Sequence, residues 1–83
     1  MHKKIVYYIC SNIKMKGGRT KKFYLGIEKY IASHIVYNWY DHICNNVILF
    51  YTKSGAEIYK ENFIKYCYFN KNDVYIEEKI TDV

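Results

Sequence analysis

The sequence predicts an α+β domain, a small antiparallel sheet with one helix packed on a face, in the order ββαββββ. Three observations lead there. Two β-branched, aromatic runs flank Gly17-Gly18. Ile27, Ile31, Ile35, Trp39 and Ile43 recur every four residues. Four further short apolar runs follow, set apart by turn-forming residues.

The first run, residues 3–13, places Ile5, Tyr7 and Ile9 on one face and Val6, Tyr8 and Cys10 on the other. Both faces are apolar, so this strand is expected to be central or covered on both sides. Residues 21–28 alternate, with Phe23, Leu25 and Ile27 on one face and Tyr24, Gly26 and Glu28 on a face suited to solvent or a partner. Gly17-Gly18 between them can supply the positive φ angles of a tight turn, so the two runs form a β-hairpin. Residues 29–44 are expected to be the helix, because a four-residue repeat is a helical stripe. Glu28 near its start and His42 near its end suit the helix dipole. If this segment is instead a strand, the chain becomes a small all-β barrel.

Val47–Thr52 reads as a buried strand, Lys53-Ser54-Gly55 as a hairpin loop, and Ala56–Tyr59 as the strand it leads into. Residues 63–69 read as another strand. Asn70-Lys71-Asn72-Asp73 is a turn cluster, and Val74–Glu78 is a short edge strand flanked by charges. Ser54-Gly-Ala-Glu57 fits a capping box but falls inside the expected hairpin and is discounted.

The 83 residues make one domain, with no linker, repeat or low-complexity segment. Apolar residues are 51% of the chain, charged residues 25%, and proline is absent. That composition excludes a disordered tail or a collagen-like chain, which lack the apolar content for a core. Uninterrupted apolar runs such as residues 47–51 are far below the ~20 residues that cross a bilayer, so no membrane role is expected. Cys10, Cys44 and Cys67 are odd in number and form no CxxC pair, which points to free thiols in a reducing compartment. With an N-terminal apolar stretch too short for a signal peptide, the expected location is the cytoplasm, or the host cytoplasm for a viral product. Lys, Asn, Ile and Tyr are 42 of the 83 residues, a usage typical of A/T-rich codons and hence of a low-GC bacterium, its phage or a large DNA virus.

Charge is uneven. Residues 1–22 hold seven cations and no acid, whereas residues 23–83 hold six lysines and eight acids. The densest piece is the expected hairpin tip, with Lys14, Lys16, Arg19, Lys21 and Lys22. Like charges gathered there repel one another, and an anion brought to the tip relieves that repulsion while releasing counterions. The bland reading of the same residues is a lysine-rich loop that only aids solubility. The 11 tyrosines exceed what one small core holds, so some are expected at a contact surface. Tyr24, with Tyr7 or Tyr8, is placed to stack on unpaired bases.

His34, Asp41, His42 and Cys44 are the one cluster with ligand or proton-carrier chemistry, and its spacing fits no common zinc pattern. The sequence has no phosphate-binding glycine loop, no nucleophile elbow and no HExxH. The expectation is therefore a non-enzymatic binding protein without metal or cofactor, of the phage or mobile-element type. Its basic hairpin and tyrosine-rich surface would dock onto nucleic acid or a nucleic-acid-handling host complex. Arg19 is the sole arginine, so backbone binding is expected over base-specific reading of duplex. The alternative is an anti-defence inhibitor of the anti-CRISPR kind, contacting a host nuclease complex directly. A homodimer joined through the tyrosine face is compatible with either.

Overall fold

The computed structural model describes residues 3–67 and 72–82. The element order is β1 (Lys3–Lys14), β2 (Thr20–Ile31), β3 (His34–Tyr40), α1 (Lys53–Cys67) and β4 (Val74–Asp82). The four strands form one antiparallel sheet in the order β3-β2-β1-β4, open at both edges among the described residues, with α1 on one face. The α+β class holds. The barrel does not form, because β3 and β4 end the sheet rather than meet. No helix among the described residues is long and apolar enough to cross a membrane.

The first hairpin forms as the sequence predicts. Gly17 and Gly18 turn the chain at φ 98° and 85°. Strand β1 lies between β2 and β4 and is covered on both faces. Ile9 joins Leu25, Phe63 and Val74 under the helix, while Val6, Tyr8 and Cys10 join Tyr24 and Val47 on the other face.

Residues 29–44 are not a helix. They finish β2, turn at Ala32-Ser33 and return as β3, with Ile31 opposite His34 and Tyr30 opposite Ile35. β-branched and aromatic residues favour the extended chain here, and no N-cap residue precedes the segment. The four-residue repeat does not mark one face. A bulge at Glu28 shifts the register between Ile27 and Lys29, so that Tyr30, not Ile31, shares the helix-side face with Ile35.

The helix lies instead at Lys53–Cys67, where two strands and a hairpin loop were expected. Thr52 caps it, its Oγ1 accepting from the Gly55 N–H at 3.1 Å. The cap thus lies two residues before Ser54, the first residue of the discounted capping box. Ala56, Tyr59, Phe63, Ile64 and Cys67 fall on one helical stripe, and four of them pack against the sheet cluster, with Ala56 fully buried. Of the expected strand 63–69, residues 68 and 69 lie outside the described residues, as do Asn70 and Lys71 of the turn cluster. Asn72-Asp73 do form a turn.

Val47–Thr52 is not a continuous strand. Strands β1 and β2 pair only from Cys10↔Tyr24 outward to Lys14↔Thr20. Beyond that point they part, and residues 46–50 fill the gap. The Ile27 N–H donates to Asn46 O (2.9 Å) and the Ile48 N–H to Leu25 O (3.1 Å) on the β2 side. Phe50 and Tyr7 exchange two backbone bonds of 3.0 and 2.8 Å on the β1 side. A bond from Asn46 Nδ2 to Ile27 O at 2.9 Å adds to the seal. The segment can come this close because residue 26 has no side chain. A Cβ there would lie 2.6 Å from Asn46 O and 2.6 Å from the Tyr40 ring.

Two substitutions test this account. Gly26→Ala should lower stability by about 3 kcal/mol, because both the Asn46 carbonyl and the Tyr40 ring must move; an unchanged denaturation midpoint contradicts the wedge. Ala32 holds a left-handed φ of 53°. Ala32→Gly should therefore raise stability by about 0.5–1 kcal/mol in the same assay.

Candidate functional site

The hairpin joining β1 and β2 outruns its neighbours. β4 reaches only to Ser11↔Val74, and β3 ends at Tyr40 opposite Tyr24. Three pairs, Asn12↔Lys22, Ile13↔Lys21 and Lys14↔Thr20, continue beyond both as a two-stranded ribbon. The turn closes with the Met15 N–H donating to Arg19 O at 2.6 Å and the Gly18 N–H to Met15 O at 3.1 Å.

The six residues singled out in the sequence separate into three groups. Lys14, Lys16 and Arg19 are exposed on the ribbon end, and none has an ion pair among the described residues. Lys21 and Lys22 lie nearer the sheet, and each meets an acid from a distant part of the chain. Lys21 Nζ is 3.1 Å from Asp41 Oδ2, and Lys22 Nζ binds Glu77 Oε2. Tyr24 is 8% exposed and packs edge-on against Tyr8 with ring centroids 5.6 Å apart. Its ring is not presented to a base, and neither is that of Tyr8. Tyr24 instead holds Lys22, whose ammonium sits 5.4 Å from its ring centroid, and its hydroxyl donates to Glu77 Oε1 at 3.4 Å.

These contacts set the local electrostatics. The Glu77 carboxylate, foremost, and the Tyr24 hydroxyl push the Lys22 ammonium above the usual lysine range, against the opposing effect of burial. Asp41 accepts from His42 Nδ1 at 2.6 Å through its other oxygen. His42 and Lys21 together hold its carboxyl below the usual range. The base of the ribbon is thus neutralised, and the uncompensated positive charge moves out to its end.

The His34, Asp41, His42 and Cys44 cluster does not assemble. Asp41 and His42 pair beside Lys21, Cys44 packs with the Val6–Tyr8 cluster, and His34 opens β3 at the far end of the sheet. No group of three or more His, Cys, Asp or Glu able to hold a metal ion occurs among the described residues.

A second surface is built from residues that the sequence does not single out. At the other end of β2, Tyr30 (67% exposed) and Ile35 (41%) face each other across the hairpin, and Tyr66 (76%) projects from α1. Between β3 and α1 runs an open apolar groove of about 240 Å³, lined by Ile35, Tyr37, Tyr59, Phe63 and Tyr66 among others. The Tyr37 and Tyr59 hydroxyls share a 2.8 Å hydrogen bond in it. The signal was available in the helical stripe of residues 56–67, which leaves Tyr66 off the buried face.

No protein-family model, no curated protein and no solved structure matches the chain.

Cys10 is fully buried, and burial, with a smaller contribution from Glu77, pushes its thiol up to about 12 from an ordinary value of 9.0. It should stay unmodified by a thiol reagent in the native protein and react only on unfolding. The unfolded chain releases this proton first, so stability is full below about pH 9 and falls as pH rises toward about 12. Burial raises Tyr8, Tyr59 and Tyr75 as well, in the same direction. Denaturation midpoints measured across this range should fall, and Cys10→Ala should shallow the slope.

Proposed function

We propose that this is a small non-enzymatic binding protein, of the kind made by phages and mobile elements, which docks its β1–β2 ribbon on the phosphate backbone of nucleic acid. One observation carries the reading. Lys14, Lys16 and Arg19 stand exposed on a projecting two-stranded ribbon without acidic partners among the described residues, while acids neutralise the lysines behind them. A two-stranded ribbon is narrow enough for the major groove, and equally for a strand bent around it. With a single arginine, the contacts are to phosphates and carry little base preference. Tyr24 has no part in binding; its contribution is to fix Lys22 at the base.

A second reading is an anti-defence inhibitor, of the anti-CRISPR type, that inserts the same tip into an acidic groove of a host nuclease complex. Met15 favours it, since this flexible apolar side chain is 42% exposed between two lysines and suits a protein pocket.

The test is binding to labelled DNA across a salt series. Three phosphate contacts predict a log–log slope of about −2 to −3 on duplex. Lys16→Glu with Arg19→Glu should abolish binding, whereas Asp41→Asn, which removes an acid from the ribbon base, should tighten it. Retained binding by the double glutamate variant removes the ribbon as the site. Loss of capture from a nuclease-treated host lysate on Met15→Ser, with no DNA binding by the parent protein, decides for the inhibitor.

A further inference from the structure

The two edges of the sheet differ. β4 carries Glu77, Glu78 and Lys79, charges that oppose the addition of another strand. β3, His-Ile-Val-Tyr-Asn-Trp-Tyr, carries no Lys, Arg, Asp or Glu. Successive residues of an antiparallel strand turn their backbone groups alternately to either side. The Trp39 N–H does not donate to β2; it donates to Asn38 Oδ1 at 2.8 Å. By the two-residue alternation, Ile35 and Tyr37 also turn their N–H and C=O groups away from β2, and among the described residues nothing pairs with them. The Asn38 cap on Trp39 closes this open stretch at its far end.

We infer that β3 pairs with β3 of a second copy of this chain, antiparallel and centred on Val36, joining two sheets into one of eight strands. In this register Ile35 of each copy lies opposite Tyr37 of the other, and the outward groups of both residues are used. The arrangement is isologous, so one set of residues satisfies both sides. An antiparallel pairing in the plane of the sheet keeps both helices on the same face. The grooves beside Ile35, Tyr37, Tyr59 and Tyr66 then open toward each other, and each covers the apolar side chains of its counterpart.

Charge does not oppose a second copy at the joint, despite the net +5 of each chain. Nine residue steps along β2 separate Lys29, the partner of Val36, from Thr20 at the ribbon base, about 30 Å of extended chain. The two ribbons point in opposite directions from the joint. Their cations are therefore separated by several times the screening length of roughly 8 Å at physiological salt. The joint brings together no like charges from β3.

Size-exclusion chromatography with light scattering on the full chain reads the oligomeric state. A dimer that dissociates on dilution is expected. Ile35→Lys should give a monomer with an unchanged far-UV spectrum, and Ile80→Lys, on the other edge strand, should remain a dimer. Register is read by cysteine cross-linking. Val36→Cys should form an intermolecular disulfide on mild oxidation, since the two copies of this position face each other in a non-hydrogen-bonded pair. Asn38→Cys, which faces His34 of the other copy, should not. A monomeric parent protein at every concentration overturns the inference. So does a dimer broken by Ile80→Lys but not by Ile35→Lys, or cross-linking as efficient at position 38 as at position 36.

Discussion

The architecture depends on a wedge of backbone. Strands β1 and β2 begin as a tight hairpin and then part. The segment from Asn46 to Phe50 fills the opening, bonding to Leu25 and Ile27 on one side and Tyr7 on the other. Without it, each strand would bury a row of unsatisfied amides, a cost that a domain of this size has little surplus to offset. The wedge also lets the sheet carry two cores. One face packs on α1 through Phe63, and the other is closed by Val47 and Cys44 around Tyr8 and Tyr24. Gly26 is where the condition is tightest, as the passing chain and the Tyr40 ring both occupy the space a side chain would need.

The same framework sorts charge. Tyr24 and Glu77 draw Lys22 against the sheet, and Asp41 with His42 holds Lys21. What remains is a short ribbon whose free cations are those nearest its turn. An exposed pair such as Lys21–Asp41 contributes little to stability. The effect of these pairs is on the field: they shorten the ribbon's basic surface from five residues to three and concentrate it at the turn.

How much of this was legible in the sequence follows from which signals were local. The β1–β2 hairpin was legible because alternation, aromatic content and Gly17-Gly18 agree over adjacent residues. The covering of β1 on both faces was legible from its two apolar faces. The local signals point to a helix one segment before the real one, for two separable reasons. A bulge at Glu28 and a turn at Ala32, a residue rarely found at positive φ, produced a four-residue spacing in a hairpin. The true helix begins with Lys-Ser-Gly and carries Ile58 and Tyr66 on its exposed side, so its apolar stripe is blurred and Thr52 does not stand out as its cap. The cations of the candidate site could be read from composition. That Asp41 and Glu77 would claim two of them could not, because both partners come from remote parts of the chain.

The sheet order has a consequence for how the chain is made. β1, synthesised first, receives β4 as its neighbour last, with Lys4 set opposite Thr81 and Ser11 opposite Val74. Until β4 emerges from the ribosome, one whole side of the central, most buried strand lacks its backbone partner. Such long-range closure slows folding and leaves a nascent strand edge open to other chains. The growing polypeptide is therefore open to misassembly along this edge until β4 has emerged and paired.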